Sequence, residues 1–133
     1  MIKQIPWLKW WPVLILIAAA VALLFFIPLE KVSSQEGQLI LDFGNGQKRV
    51  FQGPVDENTS VLLALYSSSE QGGFTVRYFL DDAGNSRVQS IGEAVNEEYG
   101  RMWHFFLNDE VIAETELNRT MLKRGDVVEA KFQ

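Results

Sequence analysis

The sequence predicts an α+β domain carried behind an N-terminal transmembrane helix, and three observations predict it. An uncharged, almost wholly apolar run covers 19 residues from Trp11 to Leu29. Only one later segment, beginning near Val61, sets apolar residues at helical spacing behind a capping side chain. The other apolar segments are short, rich in β-branched and aromatic residues, and punctuated by Gly, Asn and Asp.

The first run is long enough to span. At 1.5 Å per residue it reaches about 28 Å as a helix, close to the roughly 30 Å hydrocarbon core of a bilayer. Val13 to Ile27 contains eleven Val, Ile, Leu or Phe residues, and at about −0.3 to −0.6 kcal/mol each their insertion is favourable by roughly 3–6 kcal/mol. Lys3, Lys9 and the terminal amine precede it, whereas Glu30 and Lys31 cancel after it. The positive-inside bias then predicts a cytoplasmic N-terminus (residues 1–10) and a chain that crosses the cytoplasmic membrane once, with its C-terminal domain outside. Trp7, Trp10 and Trp11 cluster at the inner boundary, where an indole keeps its ring near acyl chains and its N–H among headgroups. Pro12 and Pro28 suit the start and the end of such a helix. A secretory signal peptide is the rival reading, but its apolar core is normally 7–15 residues, and only Val32-Ser33-Ser34 offers a cleavage site. We expect an uncleaved anchor. The chain has no Cys, so disulfide stapling and cysteine lipidation are excluded.

After a polar linker, residues 30–37, about 96 residues remain (38–133), a size that suits one domain with its own core. All 17 acidic residues and 10 of the 12 Lys and Arg lie from Glu30 onward, a net charge of −7. Such acidity argues against nucleic acid as a partner, because that recognition needs dense Lys and Arg. Its plainer role is solubility.

Gln38 to Phe43 reads as a first strand, and Gly44-Asn45-Gly46 supplies the φ > 0 residues of a tight hairpin. Lys48 to Gln52 reads as the returning strand, with Gly53-Pro54 ending it. Asn58, Thr59 and Ser60 offer an N-cap oxygen before a helix whose Val61, Leu62, Leu65 and Tyr66 share one face, and Gly72-Gly73 closes it. Phe74 to Leu80 then has strand composition, and Asp81-Asp82-Ala83-Gly84-Asn85 supplies turn chemistry before a short strand, Arg87 to Ile91. Gly92 to Met102 reads as polar and irregular. Trp103 to Leu107 is a strong strand, turned by Asn108-Asp109-Glu110 into Val111-Ile112-Ala113. In the closing strand Val128, Ala130 and Phe132 alternate with Glu129 and Lys131, which predicts one buried and one wet face.

A leading hairpin, one helix and several later strands describe a single helix packed across a mixed sheet. A β-grasp-like arrangement satisfies that order with its last strand in the middle of the sheet beside the first, although other single-helix α+β layouts also fit.

Four segments carry a family resemblance: Thr59-Ser60-Val61-Leu62-Leu63-Ala64-Leu65, Ile91-Gly92 with Asn96, Trp103-His104-Phe105-Phe106-Leu107-Asn108, and Leu122 followed by Gly125-Asp126 and Val128. From about Gln38 to Phe132 the chain resembles the transcobalamin-like C-terminal domain family, β-grasp modules related to the soluble-ligand-binding β-grasp group. The resemblance implies the fold more than an activity. Cobalamin-binding members use the module as one half of a two-domain clamp, so we expect no cofactor of this domain by itself.

Catalytic chemistry is thinly supplied. His104 is the sole His and lies within an aromatic strand, and Ser67-Ser68-Ser69 lacks nucleophile-elbow glycines, so no hydrolytic triad is expected. Asp81-Asp82 with Asn85 lacks the spaced ligand series of a Ca²⁺ loop, and no metal is expected. Glu93, Glu97 and Glu98 read as solvating a loop. Asn58-Thr59-Ser60 and Asn118-Arg119-Thr120 match the glycosylation acceptor pattern. The segment from Gly92 to Met102 is the best binding candidate, because a long loop on a small rigid sheet is where binding residues gather. Tyr99, Arg101 and Trp103 there are of the types enriched at binding hot spots, with a core role competing for Trp103. The expected function is non-enzymatic: an extracytoplasmic module that binds an envelope or secreted protein or a small soluble ligand. The alternative is a non-catalytic accessory subunit of a membrane complex.

Overall fold

The computed structural model describes residues 36–133. The expected span at 11–29, the interface tryptophans Trp7, Trp10 and Trp11, and most of the linker lie outside the described residues. Among the described residues no helix is long and apolar enough to cross a membrane.

These residues form a mixed α+β fold, mostly sheet, with one α-helix. Strands β1 (Glu36–Asp42) and β2 (Lys48–Pro54) make the leading hairpin, followed by α1 (Val61–Gly72). Strands β3 (Val76–Leu80), β4 (Ser86–Ile91) and β5 (Ala94–Val95) come next, then β6 (Trp103–Leu107), β7 (Glu110–Ile112) and β8 (Val127–Phe132). They build two sheets: five strands in the order β2-β1-β8-β6-β7, and three in the order β3-β4-β5. The closing strand does lie beside the first, parallel to it, with Leu39 opposite Val128 and Leu41 opposite Ala130. Every other pairing between strands is antiparallel.

The period-2 pattern of the five-stranded sheet sends Leu39, Leu41, Trp103, Phe105, Val128, Ala130 and Phe132 into the core. There they meet Val61, Leu62 and Leu65 of α1, with Val88 and Ile91 of β4. Glu129 and Lys131 face the other way and pair at 3.2 Å. Ser60 caps α1, its hydroxyl accepting from Leu63 N–H at 3.1 Å. Gly73 closes the helix at φ 67°, where a Cβ would be strained, and donates back to the Ser69 carbonyl.

Several expectations need correction. β2 does not stop at Gln52 but runs on through Gly53 and Pro54, which pair with Gly37 and Glu36. Pro54 is tolerated because β2 is an edge strand and a residue there need not donate outward. Tyr66 does not share the buried helix face; it is exposed, and the small Ser68 and Ser69 are buried in the helix's last turns. The segment from Gly92 to Met102 is more ordered than predicted, holding β5 and a short 3-10 turn at Glu98–Gly100. The mixed sheet is not the whole β structure, since β3, β4 and β5 form a separate one. Asn108 and Asp109 both adopt positive φ, 49° and 69°, the pattern of a two-residue type I′ turn, so Glu110 already belongs to β7.

Candidate functional site

The residues that bound an open cleft on the domain come mainly from three connections. The β1–β2 turn contributes Phe43, Asn45 and Gln47, with Arg49 from the start of β2; the joint after α1 contributes Gly73, Phe74 and Thr75; the segment after β4 contributes Gly92, Glu93, Ala94, Glu98, Tyr99 and Arg101. With Phe132 of β8 they enclose an open cleft of about 660 Å³. That volume falls within the range of small-molecule sites.

Arg101 holds the floor. One guanidinium nitrogen donates to the Phe43 carbonyl at 3.1 Å and to the Phe132 carbonyl at 2.8 Å, tying the ends of two neighbouring strands together. Its guanidinium carbon stands 4.5 Å from the Phe132 ring centroid, a cation–π distance. The arrangement depends on Gly44, at φ 69°: a Cβ there would collide with that nitrogen and with the Phe132 carbonyl. Arg49 braces the opposite wall by donating to the Gly72 carbonyl at 2.7 Å and lying against Phe51 and Phe74.

Tyr99 stands at the rim with 92% of its surface exposed. Its backbone is left-handed (φ 56°, ψ 28°), as is that of Glu97 at φ 69°. Non-glycine residues rarely adopt this region, and such strain tends to collect at functional sites. The short loop persists because Glu97 N–H donates to the Arg101 carbonyl at 2.8 Å and Arg101 N–H donates to the Glu98 carbonyl at 3.2 Å. Burying a bare ring of this size against a ligand would release apolar surface that the fold itself leaves wet.

Trp103 is placed differently from its neighbours in sequence. It is 3% exposed, donates from Nε1 to the Ala94 carbonyl at 3.0 Å, and packs against Phe43 and Phe132 with centroids 5.5 and 5.2 Å away. It lies under the cleft floor rather than in its lining. Tyr99 and Arg101 are thus brought to one cleft, and Trp103 supports two of the aromatic residues that line it, Phe43 and Phe132. Sequence reading missed Phe43, Asn45, Gln47, Arg49 and Phe74, which lie 25 to 58 residues away along the chain. The only advance signal was the Gly44-Asn45-Gly46 turn, read for its shape.

The remaining candidates lie elsewhere. His104 occupies the opposite face of β6 from Trp103, exposed and across from Lys131. Asp81 spends its carboxylate on its own turn, accepting from Ala83 N–H and Asn85 N–H at 2.9 Å and from the Asn85 amide at 3.1 Å. Those bonds, led by the Asn85 N–H, hold its pKa below the ordinary carboxylate value. Asp42 and Asp56 are lowered in the same way, by the Gly44 and Asn58 N–H groups first. Among the described residues no group of three or more His, Cys, Asp or Glu could hold a metal ion. The Asn118 amide nitrogen donates to the Gly84 carbonyl at 3.0 Å, which commits it internally.

No family model matches the chain, and no curated protein does. Solved structures are similar. A proposed metal-binding protein from Ruminococcus gnavus ATCC 29149 aligns with a TM-score of 0.55 and 15% identity, over 74% of this chain and 96% of its own. Haptocorrin in complex with Cbi aligns with a TM-score of 0.57 and 9% identity, over 75% of this chain and 25% of its own. The chain therefore matches about a quarter of haptocorrin's length, and at these identities the likeness is one of fold.

Proposed function

We propose that this chain is a non-catalytic binding module of the transcobalamin-like, β-grasp kind, anchored by Trp11–Leu29 and displayed outside the cytoplasmic membrane, where the Tyr99 cleft takes a small soluble ligand. The observation that carries the reading is Tyr99: a ring almost fully bare, held in a strained backbone conformation at the rim of a cleft whose floor is braced by Arg101. The fold supports it as well. The strand order with β8 beside β1, the single helix across the sheet and the likeness to part of haptocorrin agree with the family resemblance. Anchoring follows from the length and apolarity of the 11–29 run, with Trp7, Trp10 and Trp11 at its inner boundary.

The lining suggests an uncharged or zwitterionic ligand with a flat apolar face. Arg49 and Arg101 are matched by Glu93 and Glu98, and aromatic Phe43, Phe74 and Tyr99 stand among them. The test is a thermal-shift screen of the detergent-extracted full chain against small soluble metabolites, Cbi among them. A ligand that raises the melting temperature of the wild type and not of Tyr99→Ala supports the reading. A full screen with no shift, together with stoichiometric co-purification of other polypeptides, overturns it in favour of an accessory subunit. Protease added to sealed cells should remove the domain; protection would overturn the outward placement.

A further inference from the structure

Sheet edges expose unpaired N–H and C=O groups, and natural proteins guard them with short strands, Pro or Lys. Three of the four edges here are guarded. β2 starts on Lys48 and ends on Pro54, β5 has two residues and β7 has three. The fourth, β3, is not. It has five residues, pairs with β4 along one side, and meets no strand on the other among the described residues. It also exposes Tyr78 (40%), Phe79 (47%) and Leu80 (53%) in succession, apolar side chains on both faces of one strand. Arg77 beside them is exposed and makes no ion pair among the described residues.

We propose that β3 pairs antiparallel with β3 of a second copy about a two-fold axis through Phe79, joining two three-stranded sheets into one of six strands. An isologous pairing must keep side chains on the same face, so its axis passes through a residue rather than between two. The choice among residues follows from charge. Centred on Phe79, Arg77 faces Asp81 of the second copy, Tyr78 faces Leu80, and Phe79 faces its own counterpart, with each contact made twice. Centred on Tyr78, Arg77 faces Phe79; centred on Leu80, it faces Ala83; centred on Arg77, two guanidinium groups collide. Only the first register gives Arg77 a carboxylate and sets Tyr78, Phe79 and Leu80 opposite one another. Asp81 already pairs loosely with Arg87 at 3.8 Å but keeps 28% of its side chain exposed, so it can accept a further charged donor. A domain with net charge −7 repels its own copies in general, so an edge strand that offers a guanidinium to a carboxylate of the second copy selects its own partner.

The chain's lack of Cys makes the register testable by single substitutions in the full chain, either in membranes or in detergent. Directly opposed residues have Cα atoms about 4.5–5.5 Å apart, within disulfide range. Mild oxidation should therefore link Phe79→Cys to itself, leave Tyr78→Cys alone and Leu80→Cys alone unlinked, and link a mixture of the two. Val111→Cys, exposed on β7, reports random collision. Adding Arg77→Glu to Phe79→Cys should abolish the link and leave a monomer by light scattering, with an unchanged melting temperature. Linking of Phe79→Cys no faster than Val111→Cys, or equal self-linking at 78, 79 and 80, overturns the proposal.

Discussion

The side-chain oxygen of Asn96 accepts from the Trp103 N–H at 2.7 Å. Its amide nitrogen donates to the Val88 carbonyl at 2.6 Å, so one side chain joins β4 to the start of β6. The two sheets are stitched here by a polar group, beside the bond from Trp103 Nε1 to the Ala94 carbonyl. Asn96→Ala leaves the Trp103 N–H and the Val88 carbonyl without partners and should cost about 1–3 kcal/mol, read as a lower urea midpoint. Asn96→Asp retains the acceptor and should lose less. Equal stability of Asn96→Ala and the wild type would remove the stitch from the account.

Tyr99 and Trp103 should separate function from stability. Trp103→Ala opens the core beneath Phe43 and Phe132 and should cost about 3–5 kcal/mol. Tyr99→Gly removes an exposed ring from a left-handed backbone that glycine adopts freely, so the melting temperature should hold or rise. If Tyr99→Gly destabilises the domain as much as Trp103→Ala, the ring serves the fold and not a ligand.

Gly44 should be intolerant of Ala. A methyl group there meets the Arg101 guanidinium and the Phe132 carbonyl and also sits at φ 69°. Gly44→Ala should lower the melting temperature by several degrees, whereas Gly53→Ala, whose added methyl meets no atom within 4 Å, should not. Comparable shifts in the two variants would show that Arg101 is not packed as described.

Acid should weaken the domain through its turn carboxylates. Asp42, Asp56 and Asp81 have native pKa values below their unfolded ones, chiefly because neighbouring N–H groups donate to the ionised form. Their contribution is present in full above the unfolded value, about 3.9, and disappears as pH falls through the lowered native values. Asp81→Asn keeps an acceptor for the turn and loses the titration. Its stability should therefore fall less steeply than the wild type's below about pH 4, measured by urea unfolding across pH at low salt. Identical slopes would place the acid dependence elsewhere.

What sequence could show was local. The cap at Ser60, the turn at Gly44-Asn45-Gly46 and the alternation of Val128, Ala130 and Phe132 each depend on neighbours a few residues apart, and each is observed. The placement of β8 beside β1 was legible as one economical arrangement of those parts. The cleft was half legible. Tyr99 and Arg101 were picked from residue type and loop position, yet their companions Phe43, Arg49 and Phe74 come together only through tertiary packing. Trp103 could not be assigned from sequence, because a buried indole and a binding indole share the same composition and differ only in what covers them. The exposure of β3 was equally hidden, since strand composition does not tell a central strand from an edge.

The seating of β8 between β1 and β6 also sets a timetable for biosynthesis. Val128 and Ala130 must be made before Leu39 and Leu41 gain their central neighbours, so no nascent fragment that stops short of β8 can complete this hydrophobic layer. The layer closes only once β8 has been made, and termination before Val127 should yield a product that quality-control proteases degrade.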